Sequence, residues 1–79
     1  MRGELLNLTL EKLIIYTPFI QLNQALKLLG WVETGSMANE VIEQELVKVN
    51  GHIELRKRNK IYPGFIIEFE GQKAEIICQ

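Results

Sequence analysis

Apolar residues recur at Leu22, Ala25, Leu26 and Leu29, spaced i, i+3, i+4 and i+7, with Asn23, Gln24 and Lys27 between them. On a helix that spacing lays a single apolar stripe along one side, so it predicts an amphipathic helix over residues 21–29. Gly30 follows, a residue able to take the left-handed conformation that closes a helix. A second helix is expected to start at Thr34-Gly35-Ser36, where either hydroxyl can accept hydrogen bonds from free amides one turn in. Ala38, Val41 and Ile42 form its buried stripe, and Glu40, Glu43 and Glu45 face outward. Two short helices across a glycine-containing linker make a helix-turn-helix-like corner.

Beyond Leu46 the period changes to two. Val47, Val49, Ile53 and Leu55 alternate with Lys48, His52, Glu54 and Arg56. A two-residue Asn50-Gly51 turn would set Val49 opposite His52 and mix the two faces, so the parity predicts a three-residue hairpin loop with Gly51 at the bulge. Phe65, Ile67 and Phe69 then share one face of a further strand. A Gly71-Gln72 turn would pair Phe69 with Ala74 and Ile67 with Ile76, with Glu68 opposite Glu75. In the N-terminal stretch Leu6, Leu8 and Leu10 alternate as in a strand, although Leu6, Leu10, Leu13 and Ile14 also fit a helix; strand is preferred for its first part.

Composition narrows the class. The 79 residues are 47% hydrophobic and 24% charged, the balance of one ordinary globular domain. No apolar run reaches the roughly 18 residues of a membrane span, and the start lacks the plan of a signal peptide, so a cytoplasmic chain without membrane contact is expected. The single cysteine, Cys78, cannot form an internal disulfide, and one histidine with one cysteine cannot build a usual zinc site. No serine–histidine–carboxylate motif, phosphate loop or calcium loop is present. The expectation is a chain that is not an enzyme, with no catalytic residue, no metal, no cofactor and no small-molecule substrate.

Net charge is −1, which excludes binding driven by bulk positive charge, but the distribution is uneven. Five of the nine basic residues (Lys48, Arg56, Lys57, Arg58, Lys60) fall between positions 48 and 60, opposed there only by Glu54. The remaining 66 residues hold four basic and nine acidic side chains. A solvated charge run is the ordinary meaning of such a segment. Here it lies between ordered strands, and a scaffold that presents like charges together favours an anionic partner, nucleic acid first. The Gly35-Ser36 helix start offers free amides to an anion, and with Lys27 it would flank a phosphate track. His52 at the hairpin tip and Cys78 at the chain end read as surface residues, and Trp31 as a half-buried corner residue. Few aromatics lie near the basic segment, Tyr62 being the nearest, so single-stranded base stacking is not expected to dominate.

These elements occur in a recognisable order. The stretch LNQALKLLGWVETGSMANEVIEQELVKVNGHIELRKRNKIYPGFII, residues 22–67, resembles the S-four RNA-binding domain, named for a small-subunit ribosomal protein. The resemblance rests on the "L..AL" helix, the second helix before "VKVNG", the basic segment and the "PG" ahead of the last strand, and is greatest to small stand-alone bacterial members. It implies an α+β fold, a two-helix corner packed on a small, curved, mostly antiparallel sheet in the αL arrangement. It also implies binding to structured RNA, ribosomal or transfer RNA, with a ribosomal particle as the setting. The positions it assigns to RNA are Lys27, Ser36, Lys48, Asn50, Arg56, Lys57, Arg58 and Lys60. Two residues depart from the pattern: Asn39 stands where many members have a cation, and Phe65 where many have Asp after "PG". The core of the resemblance is residues 18–70 within a single domain of residues 1–79, with residues 1–17 as an N-terminal extension.

The expected function is therefore non-catalytic docking on structured RNA by a monomer, through a basic loop and a helix N-terminus. The alternative is a protein–protein interaction module on the same fold, using the acidic body or the leucine-rich N-terminal segment.

Overall fold

A computed structural model describes residues 10–79. The two apolar stripes become two short helices, α1 (Leu22–Leu28) and α2 (Gly35–Glu43). Leu22, Ala25 and Leu26 of α1 and Ala38 and Ile42 of α2 are fully buried, while Lys27, Glu40 and Glu43 are exposed. Helix α1 closes as its stop residue requires. Gly30 takes φ of 76°, its amide donates to the Lys27 carbonyl (3.0 Å), and the Trp31 amide donates to that of Leu26 (3.2 Å). The same closure ends α2 without glycine: Glu45 sits at φ of 66°, and the Leu46 amide reaches the Val41 carbonyl (3.1 Å).

Of the two candidate caps for α2, Thr34 is the one used, its Oγ1 accepting from the Met37 amide at 3.0 Å. Thr34→Ala removes that acceptor and should cost about 1 kcal/mol, read as a lower thermal midpoint, whereas Ser36→Ala should leave the midpoint nearly unchanged.

Five strands form the main sheet: β1 (Leu10–Ile15), β3 (Val47–Val49), β4 (His52–Ile53), β6 (Ile66–Phe69) and β7 (Gln72–Cys78), in the spatial order β1-β7-β6-β3-β4. A separate two-stranded ribbon joins β2 (Ile20–Gln21) to β5 (Lys60–Ile61). Among the described residues only β1 and β7 run parallel, so the mostly antiparallel sheet and the α+β class are as expected. Val47, Val49, Ile67, Phe69, Ala74 and Ile76 point inward and join the helical stripes in one core, while Lys48, Glu68 and Lys73 lie across from one another on the other face.

Three local expectations are corrected. The hairpin after β3 has the two-residue Asn50-Gly51 loop, with Val49 opposite His52 and Lys48 opposite Ile53. Both loop residues have positive φ (52° and 87°), the geometry for which Asn-Gly is suited. Mixing the faces costs little because β4 is a two-residue edge strand, and His52, Ile53 (50%) and Leu55 (53%) are all exposed. The turn between β6 and β7 is Glu70-Gly71 rather than Gly71-Gln72, pairing Ile67 with Ala74 and Glu68 with Lys73. That register differs from the expected one by two residues, so every side chain keeps its face, and an opposed pair of like charges is avoided. Lys60, expected in a loop, is the first residue of β5.

At the N-terminal side, strand is found for residues 10–15, with Ile15 in the core and Leu10 and Ile14 outward. Leu6 and Leu8 lie outside the described residues. Among the described residues no helix is long and apolar enough to cross a membrane.

Candidate nucleic-acid interface

The first amides of a helix have no partner within it and must find acceptors elsewhere. At α1 the N-cap residue, Gln21, provides no side-chain cap. The acceptors come from the basic segment: the Leu22 amide donates to the Asn59 carbonyl (2.9 Å) and the Asn23 amide to the Lys57 carbonyl (3.0 Å). The β2–β5 pairing adds Ile20 opposite Ile61 and Gln21 opposite Lys60. The segment is therefore fastened through its backbone to the start of α1, with its side chains left outside. Arg56, Lys57, Arg58 and Lys60 are all exposed.

Their charges are not equally available. Glu54 holds Arg56 through the guanidinium (Nε to Oε2, 2.9 Å; Nη2 to Oε1, 3.2 Å) and through the Arg56 amide (2.9 Å). The same carboxylate accepts from Asn59 Nδ2 at 3.3 Å. Hydrogen bonds from the Arg56 side chain, more than its charge alone, hold the Glu54 carboxyl below its ordinary value of 4.5. Lys57 Nζ sits 2.9 Å from Glu43 Oε2 at the end of α2, in a pair open to solvent on both sides. Among the described residues Arg58 and Lys60 have no carboxylate partner; Lys60 Nζ lies over the Phe19 ring, 5.0 Å from its centre.

A group whose pKa is lower in the folded state binds its proton more readily when unfolded, so its stabilisation is present above its ordinary value and lost as pH falls through the folded one. Glu54 thus contributes fully at neutral pH, and its contribution begins to fall only below the ordinary value of 4.5, being lost as pH drops through the lower folded value. In urea unfolding measured at neutral and acidic pH, Glu54→Gln should show a smaller loss on acidification than the wild-type chain.

Two depressions flank the fastened segment. Arg56, Arg58, Asn59, Lys60 and Tyr62 line one of about 470 Å³. Gln21, Asn23, Gln24, Lys27 and Gly35 line another of about 280 Å³, between α1 and the start of α2. Asn23, which lines the second, ties the basic segment to α2: its amide donates to the Lys57 carbonyl while its side chain donates to Asn39 Oδ1 at 3.0 Å. Asn39, the position without the usual cation, is thus tied to α1. Ser36 is exposed in the first turn of α2, beside Gly35.

The expected contact residues fall into three groups. Arg56, Arg58 and Lys60 meet at the first depression; Lys27 lines the second with Gly35, Ser36 following it in the chain, while Lys57 lines neither and pairs with Glu43. Lys48 and Asn50 line neither: Lys48 is exposed on the sheet opposite Glu68 and Ile53, and Asn50 Oδ1 accepts from the Ile66 amide at 2.9 Å. Phe65, the other departure, is half-buried against the core, and Trp31 is half-buried at the corner. Reading the sequence overlooked Asn23 and Asn59, and it noted Tyr62 only as the aromatic nearest the basic patch. Asn23 lies one turn before Lys27 on α1 and was discoverable from that spacing; the other two are brought in by the segment's docking.

The comparisons with known proteins bear on the family and the fold. Residues 13–77 match the family described as the S4 domain. The Escherichia coli (strain K12) protein named "Putative RNA-binding protein YbcJ" is 40% identical over 61 residues, which cover 77% of this chain and 87% of that one. The Bacillus subtilis (strain 168) "Probable ribosome maturation protein RlbA" is 37% identical over 57 residues, covering 72% and 80%. The solution structure of E. coli YbcJ, described as revealing an αL motif involved in RNA binding, superposes with a TM-score of 0.68 at 34% identity, over 87% of this chain and 89% of that one. With the family match running through nearly all of the described residues, this chain belongs to the S4 domain family.

Proposed function

We propose that the chain is a non-catalytic RNA-binding protein that docks as a monomer on structured RNA, ribosomal or transfer RNA, in the cytoplasm. The observation that carries this reading is the backbone attachment of the basic segment to α1, which presents Arg56, Arg58 and Lys60 together on a fixed support. The names of the relatives support RNA as the ligand class, and that of RlbA supports a ribosomal particle as the setting.

A-form RNA hides its base edges in a narrow major groove and is met through phosphates, 2′-hydroxyls and shape. Arg58 and Lys60 would take phosphates directly. Arg56 keeps part of its fork outside the Glu54 pair, and Lys57 would exchange Glu43 for a phosphate. Lys27 and the amides of the Gly35-Ser36 turn would hold a neighbouring phosphate across the second depression. Lys48 and Asn50 are assigned to the rim of the contact, away from both depressions.

The test is affinity for ribosomal and transfer RNA across a salt series. With about four phosphates neutralised, log K should fall against log salt with a slope of roughly −3 to −4. Affinity independent of salt would overturn the reading.

A further inference from the structure

We infer that Tyr62 is a stacking platform for one unpaired base, so that the preferred ligand is a paired RNA with an unpaired nucleotide beside the helix, at an end, a bulge or a junction. This rests on the RNA reading above and adds to it a requirement on the ligand.

Tyr62 belongs to the first depression, on whose rim it stands with Arg56, Arg58, Asn59 and Lys60. It is 43% exposed and outside the buried core. Burial of its ring therefore does not account for an aromatic at this position. Nor does a polar role within the fold, because among the described residues its hydroxyl makes no hydrogen bond. The ring is nevertheless held. Phe19 lies 5.7 Å away at 52° and Phe65 5.9 Å away at 63°, separations typical of attractive tilted aromatic pairs. The backbone is pinned on both sides, with Ile61 paired in β5 and the Phe65 amide donating to the Tyr62 carbonyl at 3.0 Å. A ring already ordered in the free protein gives up little entropy when a base covers it.

Its neighbours specify the ligand. A nucleotide combines a phosphate with an aromatic base, and this depression sets cations beside an exposed π-surface. A base inside a continuous duplex has both faces covered by its neighbours and cannot use the ring. A base outside the stack can, while its phosphates and those of the adjoining helix meet Arg58 and Lys60. Stacking discriminates weakly between bases, so the requirement concerns being unpaired rather than identity.

The experiment compares two synthetic RNA hairpins with the same stem, one blunt and one carrying a short 3′ run of unpaired adenines, for wild-type protein and the variants Tyr62→Phe, Tyr62→Leu and Tyr62→Ala. The wild-type chain and Tyr62→Phe should bind the overhanging hairpin roughly tenfold more tightly than the blunt one at equal salt. Tyr62→Leu, which still packs against Phe19 and Phe65, should lose that preference and retain blunt-hairpin affinity, and so should Tyr62→Ala if folded. Equal wild-type affinity for the two hairpins, or a preference that survives in Tyr62→Leu, overturns the stacking role while steep salt dependence leaves the phosphate contacts standing. Salt-independent binding to both hairpins overturns the phosphate reading, and the stacking role with it.

Discussion

Replacing Arg56, Lys57, Arg58 and Lys60 together by alanine should abolish most of the salt dependence of RNA binding. A wild-type slope of −3 to −4 corresponds to about a 100-fold loss of affinity between roughly 50 and 200 mM salt. The variant should bind weakly throughout and show a much shallower slope. Single substitutions should be unequal. Arg56 and Lys57 already have the carboxylates of Glu54 and Glu43, so a phosphate taken up there replaces an existing partner. Arg58 and Lys60 gain a new one, and Arg58→Ala and Lys60→Ala should therefore cost more affinity than Arg56→Ala or Lys57→Ala. Anisotropy of labelled ribosomal and transfer RNA would measure this, with circular dichroism to establish that each variant is folded. An unchanged slope in the fourfold variant would place the RNA contact elsewhere on the molecule.

Leu26→Ala should have the largest effect on stability. Leu26 is fully buried in the core on the inward side of α1, so its truncation removes apolar burial and leaves a cavity, at a cost of about 2–5 kcal/mol. A domain of this length has roughly 4–12 kcal/mol in total, so the variant should lose much of its stability and its thermal midpoint should fall by roughly 10 °C or more. Leu28, two residues on, is 58% exposed, and Leu28→Ala should change stability by no more than about 0.5 kcal/mol. Urea titration of the two variants tests the burial assignment directly. Similar midpoints for both would contradict the side of α1 assigned to the core.

Both helices were legible because their signals are local. An i, i+3, i+4 stripe, a capping hydroxyl and a left-handed stop residue act within a few positions of one another, and the structure uses each of them. The two hairpin turns show where locality ends. Asn50-Gly51 is a strong two-residue turn signal, but parity of the apolar residues pointed to a longer loop. Parity governs only where a strand has a buried face, and β4 has none because it is a short edge. Edge position follows from the order of all the strands and cannot be read from residues 47–55 alone. The parallel pairing of β1 with β7 is likewise hidden, since it joins segments at opposite ends of the chain through no connecting turn.

For the candidate interface the division is similar. The sequence by itself determined that four cations crowd into five positions, that a capped helix start follows Lys27, and that the order of elements resembles an RNA-binding domain. Composition and spacing suffice for these, because they concern residues adjacent in the chain. Only the tertiary structure decided which cations already have carboxylate partners, that loop carbonyls fasten the basic segment to α1, that Asn23 ties that segment to Asn39 of α2, and that Phe19 and Phe65 hold Tyr62 at the rim. Lys57 and Glu43 are fourteen positions apart, Phe19 and Tyr62 more than forty. Hydrogen bonds, ion pairs and ring contacts act over a few ångströms, so they depend on which segments the core brings together, and a linear pattern of apolar and polar positions specifies faces without specifying neighbours.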